Sequence, residues 1–139
     1  MTLSPLEPIE FPPLTRTDLV RYAGASGDFN PLHHDHDFAT DAGLPDVMAH
    51  GMLTAGLLGT ALTRWFGVGS LSRYSVRFRS PVWPADRLVA RCTEIAPAPD
   101  DTGCLDVTAE MVRAPDDIVL SGTARIRRSA IISASGSVP

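Results

Sequence analysis

Residues 51–66 read Gly51-Met52-Leu53-Thr54-Ala55-Gly56-Leu57-Leu58-Gly59-Thr60-Ala61-Leu62-Thr63-Arg64-Trp65-Phe66. Met52, Leu53, Ala55, Leu57, Leu58, Ala61, Leu62, Trp65 and Phe66 place apolar side chains nearly all round a helix, the pattern of a helix buried in a core. A membrane span takes about 20 apolar residues, and Arg64 closes this run early. Ala55, Gly56, Gly59 and Ala61 are small, which predicts a helix lying close against a sheet, because bulky side chains there would hold the two backbones apart. Each glycine inside a helix costs about 1 kcal/mol relative to alanine, so tertiary contact must offset it.

After Gly69 the hydrophobic period changes to two. Tyr74, Val76 and Phe78 alternate with Arg73, Ser75, Arg77 and Arg79, a half-buried strand ended by Pro81 and Pro84. Leu105, Val107, Ala109 and Met111 alternate with Asp106, Thr108 and Glu110 in a second clear strand. Residues 87–95 and 118–128 give weaker strands, joined by turns around Pro97-Ala98-Pro99-Asp100-Asp101 and Ala114-Pro115-Asp116-Asp117. Upstream, Thr15-Arg16-Thr17-Asp18 forms a capping box that opens a short helix carrying Leu19, Tyr22 and Ala23, ended by Gly24. Asp35 caps a second short helix through Phe38, Ala39 and Ala42, stopped by Gly43, and residues 44–49 make a loop around Pro45. Short helices, one long buried helix and then a strand meander predict an α+β fold in which one antiparallel sheet wraps the helix.

The chain has 139 residues, 44% of them hydrophobic and 20% charged, enough for one domain with a core and without a linker-like stretch. Residues 1–139 are therefore expected to form a single domain, with 1–12 and 129–139 as extended or frayed tails. The first residues lack the basic and apolar blocks of a secretory signal, so a cytoplasmic location is expected. Cys92 and Cys104 are too few for a disulfide framework and read as two buried reduced thiols. All twelve basic residues are Arg, and the formal net charge is −4. Residues 1–60 carry two Arg against eight acids, and residues 61–139 carry ten against eight. That balance lacks the concentrated basic face of a nucleic-acid binder.

The chemistry-bearing stretch is Tyr22-Ala23-Gly24-Ala25-Ser26-Gly27-Asp28-Phe29-Asn30-Pro31-Leu32-His33. Pro31 fixes its own φ and keeps Asn30 out of the α region, so the chain folds sharply and brings Asp28 towards His33. A carboxylate and an imidazole paired in this way can hold and polarise one water. The run His33-His34-Asp35-His36-Asp37 suggests a metal, but adjacent side chains diverge and no distant ligand cluster completes a coordination sphere, so no metal is expected. Ser26 lacks a nucleophile elbow and an evident base.

The stretch Tyr22 to His33 with Ala39 beyond it, followed by Ala49-His50-Gly51-Met52-Leu53-Thr54, resembles the signature of the MaoC-like, or hydratase-2, family of hot-dog-fold enzymes. These are (R)-specific enoyl-thioester hydratases and dehydratases. The phrases Asp18 to Gly24 and His50 to Thr54 are especially similar to catalytic B subunits of (3R)-hydroxyacyl carrier-protein dehydratases. The resemblance implies hydration of trans-2-enoyl thioesters and the reverse dehydration. Asp28 and His33 are then the catalytic pair, and the Gly51 backbone N–H at a helix start is the donor to the thioester oxygen. Ser26, Asn30, His50 and Met52 bind or orient, Asn30 by turning its amide to His33 or the water. No separate cofactor is expected, since coenzyme A or phosphopantetheine enters as part of the substrate. The resemblance implies a homodimer or a heterodimer with a second hot-dog subunit. A hot-dog thioesterase and a noncatalytic partner subunit are the competing readings.

Overall fold

The computed structural model describes residues 6–134. Strand β1, Ile9–Glu10, is followed by helix α1, Arg16–Ser26, a 3₁₀ turn at Pro31–His33, helix α2, His36–Asp41, and the long helix α3, Gly51–Phe66. Four long strands follow: β2, Leu71–Phe78; β3, Leu88–Pro97; β4, Cys104–Arg113; and β5, Asp117–Arg127; helix α4, Arg128–Ala134, comes last. All pairings are antiparallel and the strand order is β1-β3-β4-β5-β2. Leu58, Leu62, Ala55 and Ala61 of α3 meet Leu88, Ala90, Val107, Ala109, Met111, Leu120 and Ile126 from one face of the sheet. This is the expected α+β hot-dog arrangement, a sheet packed round a long central helix.

The helix ends follow the local chemistry. Thr15 and Asp18 form the reciprocal capping box, with the Asp18 amide donating to Thr15 Oγ1 at 3.1 Å and the Thr15 amide donating to Asp18 Oδ2 at 2.8 Å. These bonds hold the Asp18 carboxyl below its ordinary range. Asp35 caps α2 through Phe38 N at 3.0 Å, and Gly43 follows with a left-handed φ of 86°. Helix α1 does not end at Gly24 but runs to Ser26. Gly27, at φ 74°, is where a left-handed residue is needed, whereas Gly24 stays helical while its neighbours Leu19 and Ala23 pack into the core.

Four further expectations are corrected. The strands do not run as a simple meander: β2 pairs with β5 at the far edge, and β3 pairs with β1. The segment 79–87 makes this possible by crossing the end of α3, where Ala49 N donates to Val82 O at 2.8 Å. Helix α3 is buried on one side only: Met52 is 60% exposed, and none of the described residues comes within 4 Å of a Cβ built at Gly56, whereas Gly59 does face Tyr74. Phe78 is 52% exposed, because the end of β2 runs past the covered face and its ring lies over Gly51 instead. The stretch from Ser129 is not frayed as far as Ala134 but helical, with Ile131 packed on the core; residues 1–5 and 135–139 lie outside the described residues. Both cysteines are free, Cys104 buried and Cys92 half-buried beside an irregularity in β3. No helix among the described residues is long and apolar enough to cross a membrane.

Candidate active site

A chain of side-chain-to-backbone bonds turns the polypeptide between α1 and the 3₁₀ turn. Asp28 N donates to Ser26 Oγ at 3.1 Å, Asn30 N to Asp28 Oδ1 at 3.2 Å, and Leu32 N to Asn30 Oδ1 at 3.0 Å. Each closes a turn two residues long, as short polar side chains do. Pro31 then sits at the first position of the 3₁₀ turn, where its missing N–H is not needed. The result is the convergence expected from the spacing: His33 Nε2 lies 3.7 Å from Asp28 Oδ2. Asp28 keeps half its side chain, 51%, in solvent, while His33 is buried.

The other side of His33 is held by the loop before α3. His33 Nδ1 lies 2.5 Å from Met48 O, and Met48 N donates to Leu32 O at 2.9 Å. A carbonyl only accepts, so Nδ1 carries a proton, and Nε2 is the ring nitrogen turned towards Asp28. His50, which caps the N-terminus of α3, stacks on His33 with ring centroids 3.8 Å apart and planes at 24°. Its Nε2–H donates to Asp28 O at 3.1 Å, and Tyr22 meets its ring edge-on at 4.9 Å. Burial pushes the His50 pKa below its ordinary value, assisted by the nearby His33 charge and opposed by the bond to Asp28 O.

Gly51 opens α3 immediately after His50, whose side chain is turned to Asp28 O and makes no hydrogen bond to the helix amides. Leu53 N and Thr54 N donate to His50 O at 3.1 and 3.4 Å, so the amides left without an acceptor inside the helix are those of Gly51 and Met52, where the helix dipole is positive. A Cβ at Gly51 would stand 2.9 Å from Phe78 Cε1, so glycine is what lets that ring close over the helix start. A cavity of about 300 Å³ opens here, walled by Met48, Gly51, Thr54, Phe78 and Val82. A second cleft of about 420 Å³ lies between α1 and α3, walled by Phe11, Leu14, Tyr22, Leu53 and Leu57 with Asp18 and Arg21 at its rim.

The residues singled out from the sequence thus separate. Asp28 and His33 meet, and His50 joins them to Gly51. Ser26 and Asn30 hold the turn, but the Asn30 amide oxygen is on Leu32 N and not on His33, because that oxygen caps the 3₁₀ turn. Met52 is exposed on the helix surface. Asp28, His33 and His50 also offer ligand atoms within 4.8 Å of one another. They suit a metal poorly: one nitrogen of each imidazole is engaged by a carbonyl, and the remaining lone pairs lie in two nearly parallel planes instead of converging. The Met48 carbonyl and the His50 stack have no signal in residue spacing. The only hint was a histidine standing directly before a helix start.

A sheet-wrapped helix with an acid–imidazole pair at its N-terminus defines a class of hot-dog domains. The chain belongs to the MaoC-like domain family, whose model matches residues 4–104. It is 41% identical over 78 residues to 3-hydroxyacyl-thioester dehydratase Y of Mycobacterium tuberculosis, an alignment covering 53% of this chain and 27% of that protein. It is 34% identical over 89 residues to the (R)-specific enoyl-CoA hydratase of Rhodospirillum rubrum, covering 63% of this chain and 62% of that one. The chain thus spans less than two thirds of the length of either relative. The solved (R)-hydratase from A. caviae involved in PHA biosynthesis superposes with a TM-score of 0.77 at 25% identity, covering 91% of this chain and 97% of that one.

Proposed function

We propose that this protein is a hydro-lyase that adds water to trans-2-enoyl thioesters to give (3R)-hydroxyacyl thioesters, and catalyses the reverse dehydration. The observation that carries the reading is the approach of the pair: His33, held through Nδ1–H to Met48 O, brings Nε2 to 3.7 Å from the Asp28 carboxylate. Two groups at that separation each reach one water at about 2.8 Å. The water oxygen bonds to the β carbon while one of its protons passes to Nε2 and the π electrons move towards the thioester oxygen. The Gly51 N–H receives that developing charge, and the pair then returns a proton to the α carbon. In dehydration the same steps run backwards. The apolar cavities beside Gly51 and Tyr22 suit the acyl group, and coenzyme A or phosphopantetheine belongs to the substrate, so the chemistry requires no separate cofactor.

The working unit is a pair of hot-dog subunits, either two copies or this chain with a related one. Strand β2 stands at the sheet edge with its outer hydrogen-bonding side unpaired among the described residues, and Phe78 and Met52 are exposed apolar groups. Such an edge is normally covered.

Purified protein is assayed on crotonyl-CoA, following loss of enoyl absorbance and release of free thiol in parallel. The proposal expects the first without the second; thiol release without hydration would make the protein a thioesterase. Asp28→Asn and His33→Gln should each lower turnover at least about a hundredfold at unchanged thermal stability. Full activity in either variant rejects the assigned pair.

A further inference from the structure

We propose that His50 is the positioning residue of this site: its Nε2–H fixes the Asp28 main chain, its ring face fixes the plane of His33, and its backbone leads directly into Gly51. The catalytic consequence rests on the hydro-lyase reading; the effect on His33 does not.

His50 is only 1% exposed, yet one of its nitrogens is spent on a main-chain carbonyl and the other, Nδ1, has no hydrogen-bond partner among the described residues. A phenylalanine or leucine would fill the same space without burying a lone pair, so packing alone gives no reason for an imidazole. What the imidazole supplies is a donor and a flat face at right angles to it. The donor reaches Asp28 O at 3.1 Å, and the face lies 3.8 Å from the His33 ring centre. One side chain therefore sets both the acid's backbone and the base's ring plane. Because residue 50 precedes Gly51, the same side chain also fixes the pair relative to the helix amide.

The stack needs His50 uncharged, since two imidazolium rings at this spacing would repel. Its neighbours are the Tyr22 ring from α1, Asp28 from the turn, His33 and His34 from the 3₁₀ segment, and the Met48 carbonyl on the far side of His33. Burial and His33 both disfavour a charge on His50, against the opposing pull of Asp28.

Two substitutions divide the roles. His50→Gln keeps an N–H donor and loses the ring face; His50→Phe keeps the face and loses the donor. For each, kcat and KM on crotonyl-CoA are measured, and the His33 ring protons are assigned by NMR. His50→Gln is expected to lower kcat about tenfold or more with KM nearly unchanged, and to shift the His33 ring-proton resonances as the ring current of the stacked face is lost. His50→Phe is expected to lower kcat with those resonances still shifted by a ring face. The proposal is overturned if both variants leave the His33 resonances where wild type has them, or if both lose activity only in proportion to their folded fraction. Failure of both to fold also overturns it, because His50 would then serve the core alone. If wild type shows no hydration, the functional reading fails while the NMR spectra still decide whether His50 holds the His33 ring.

Discussion

Gly122 lies in β5 opposite Val76 of β2 and Ala109 of β4, directly beneath Leu58 of α3. A Cβ built there stands 2.8 Å from Leu58 Cδ2, 3.5 Å from Tyr74 Cε2 and 3.7 Å from Ala109 O. Carbon–carbon contact is comfortable at about 3.5–4.0 Å, so Gly122→Ala forces Leu58 back by roughly 0.7 Å or more. Leu58 is 0% exposed, so any shift is made against packed neighbours. Overpacking of this kind costs about 1–3 kcal/mol, and relief of the glycine's own backbone entropy returns about 0.5–1 kcal/mol. The net expectation is a loss near 1 kcal/mol, read as a drop of about half to one molar in the urea midpoint. Leu58→Ala alone should cost about 2–5 kcal/mol. The informative measurement is the double variant: the added methyl occupies part of the space Leu58 vacates, so the pair should be less destabilised than the sum by at least about 0.5 kcal/mol. A neutral Gly122→Ala together with strict additivity would show that sheet and helix do not meet at this point, and the reason given for the helix position would be wrong.

Tyr74 donates its hydroxyl to Ala55 O of α3 at 2.7 Å, and burial pushes its pKa up to about 12. The folded state therefore holds a proton that the unfolded chain releases, and stability should fall as pH rises from 10.0 to about 12. Spectrophotometric titration should show a late tyrosine that is absent in Tyr74→Phe; complete ionisation of both tyrosines near pH 10 would contradict it. Thr15→Ala removes the cap of α1 and should cost about 0.5–2 kcal/mol in chemical denaturation, with no loss meaning that the capping box is ornamental. His50 has a folded pKa below its ordinary 6.5, so the unfolded chain binds a proton that the folded protein refuses. Stability should then decline as pH falls below about 6.5, more steeply in wild type than in His50→Gln; superimposable Tm profiles would show that His50 is not the cause.

Much of this protein was legible without coordinates because the decisive signals are local. The bounds of α3, Gly51–Phe66, follow from a glycine start and an apolar run closed by Arg64 and Gly67. The capping box at Thr15 and the strand face of Leu105, Val107, Ala109 and Met111 depend only on hydrogen-bond reach and side-chain period. The Asp28–His33 pairing was readable for the same reason: five residues and a proline define a turn whose geometry hardly depends on the rest of the chain. What needed the tertiary structure was every relation between distant segments. Nothing in the alternation of β2 says that it pairs with β5 rather than β3, because period two specifies a face and not a neighbour. The exposure of Phe78 depends on where the sheet ends relative to α3. The Nδ1 proton of His33 is held by a carbonyl fifteen residues away, and the identity of that acceptor cannot be read from a pattern, since every residue carries one. The stacking of His50 on His33 arises only when the helix start is pressed against the turn. Local bonding rules wrote the elements and the Asp28–His33 pair; long-range packing, which sums many weak contacts over the whole core, decided how they face one another.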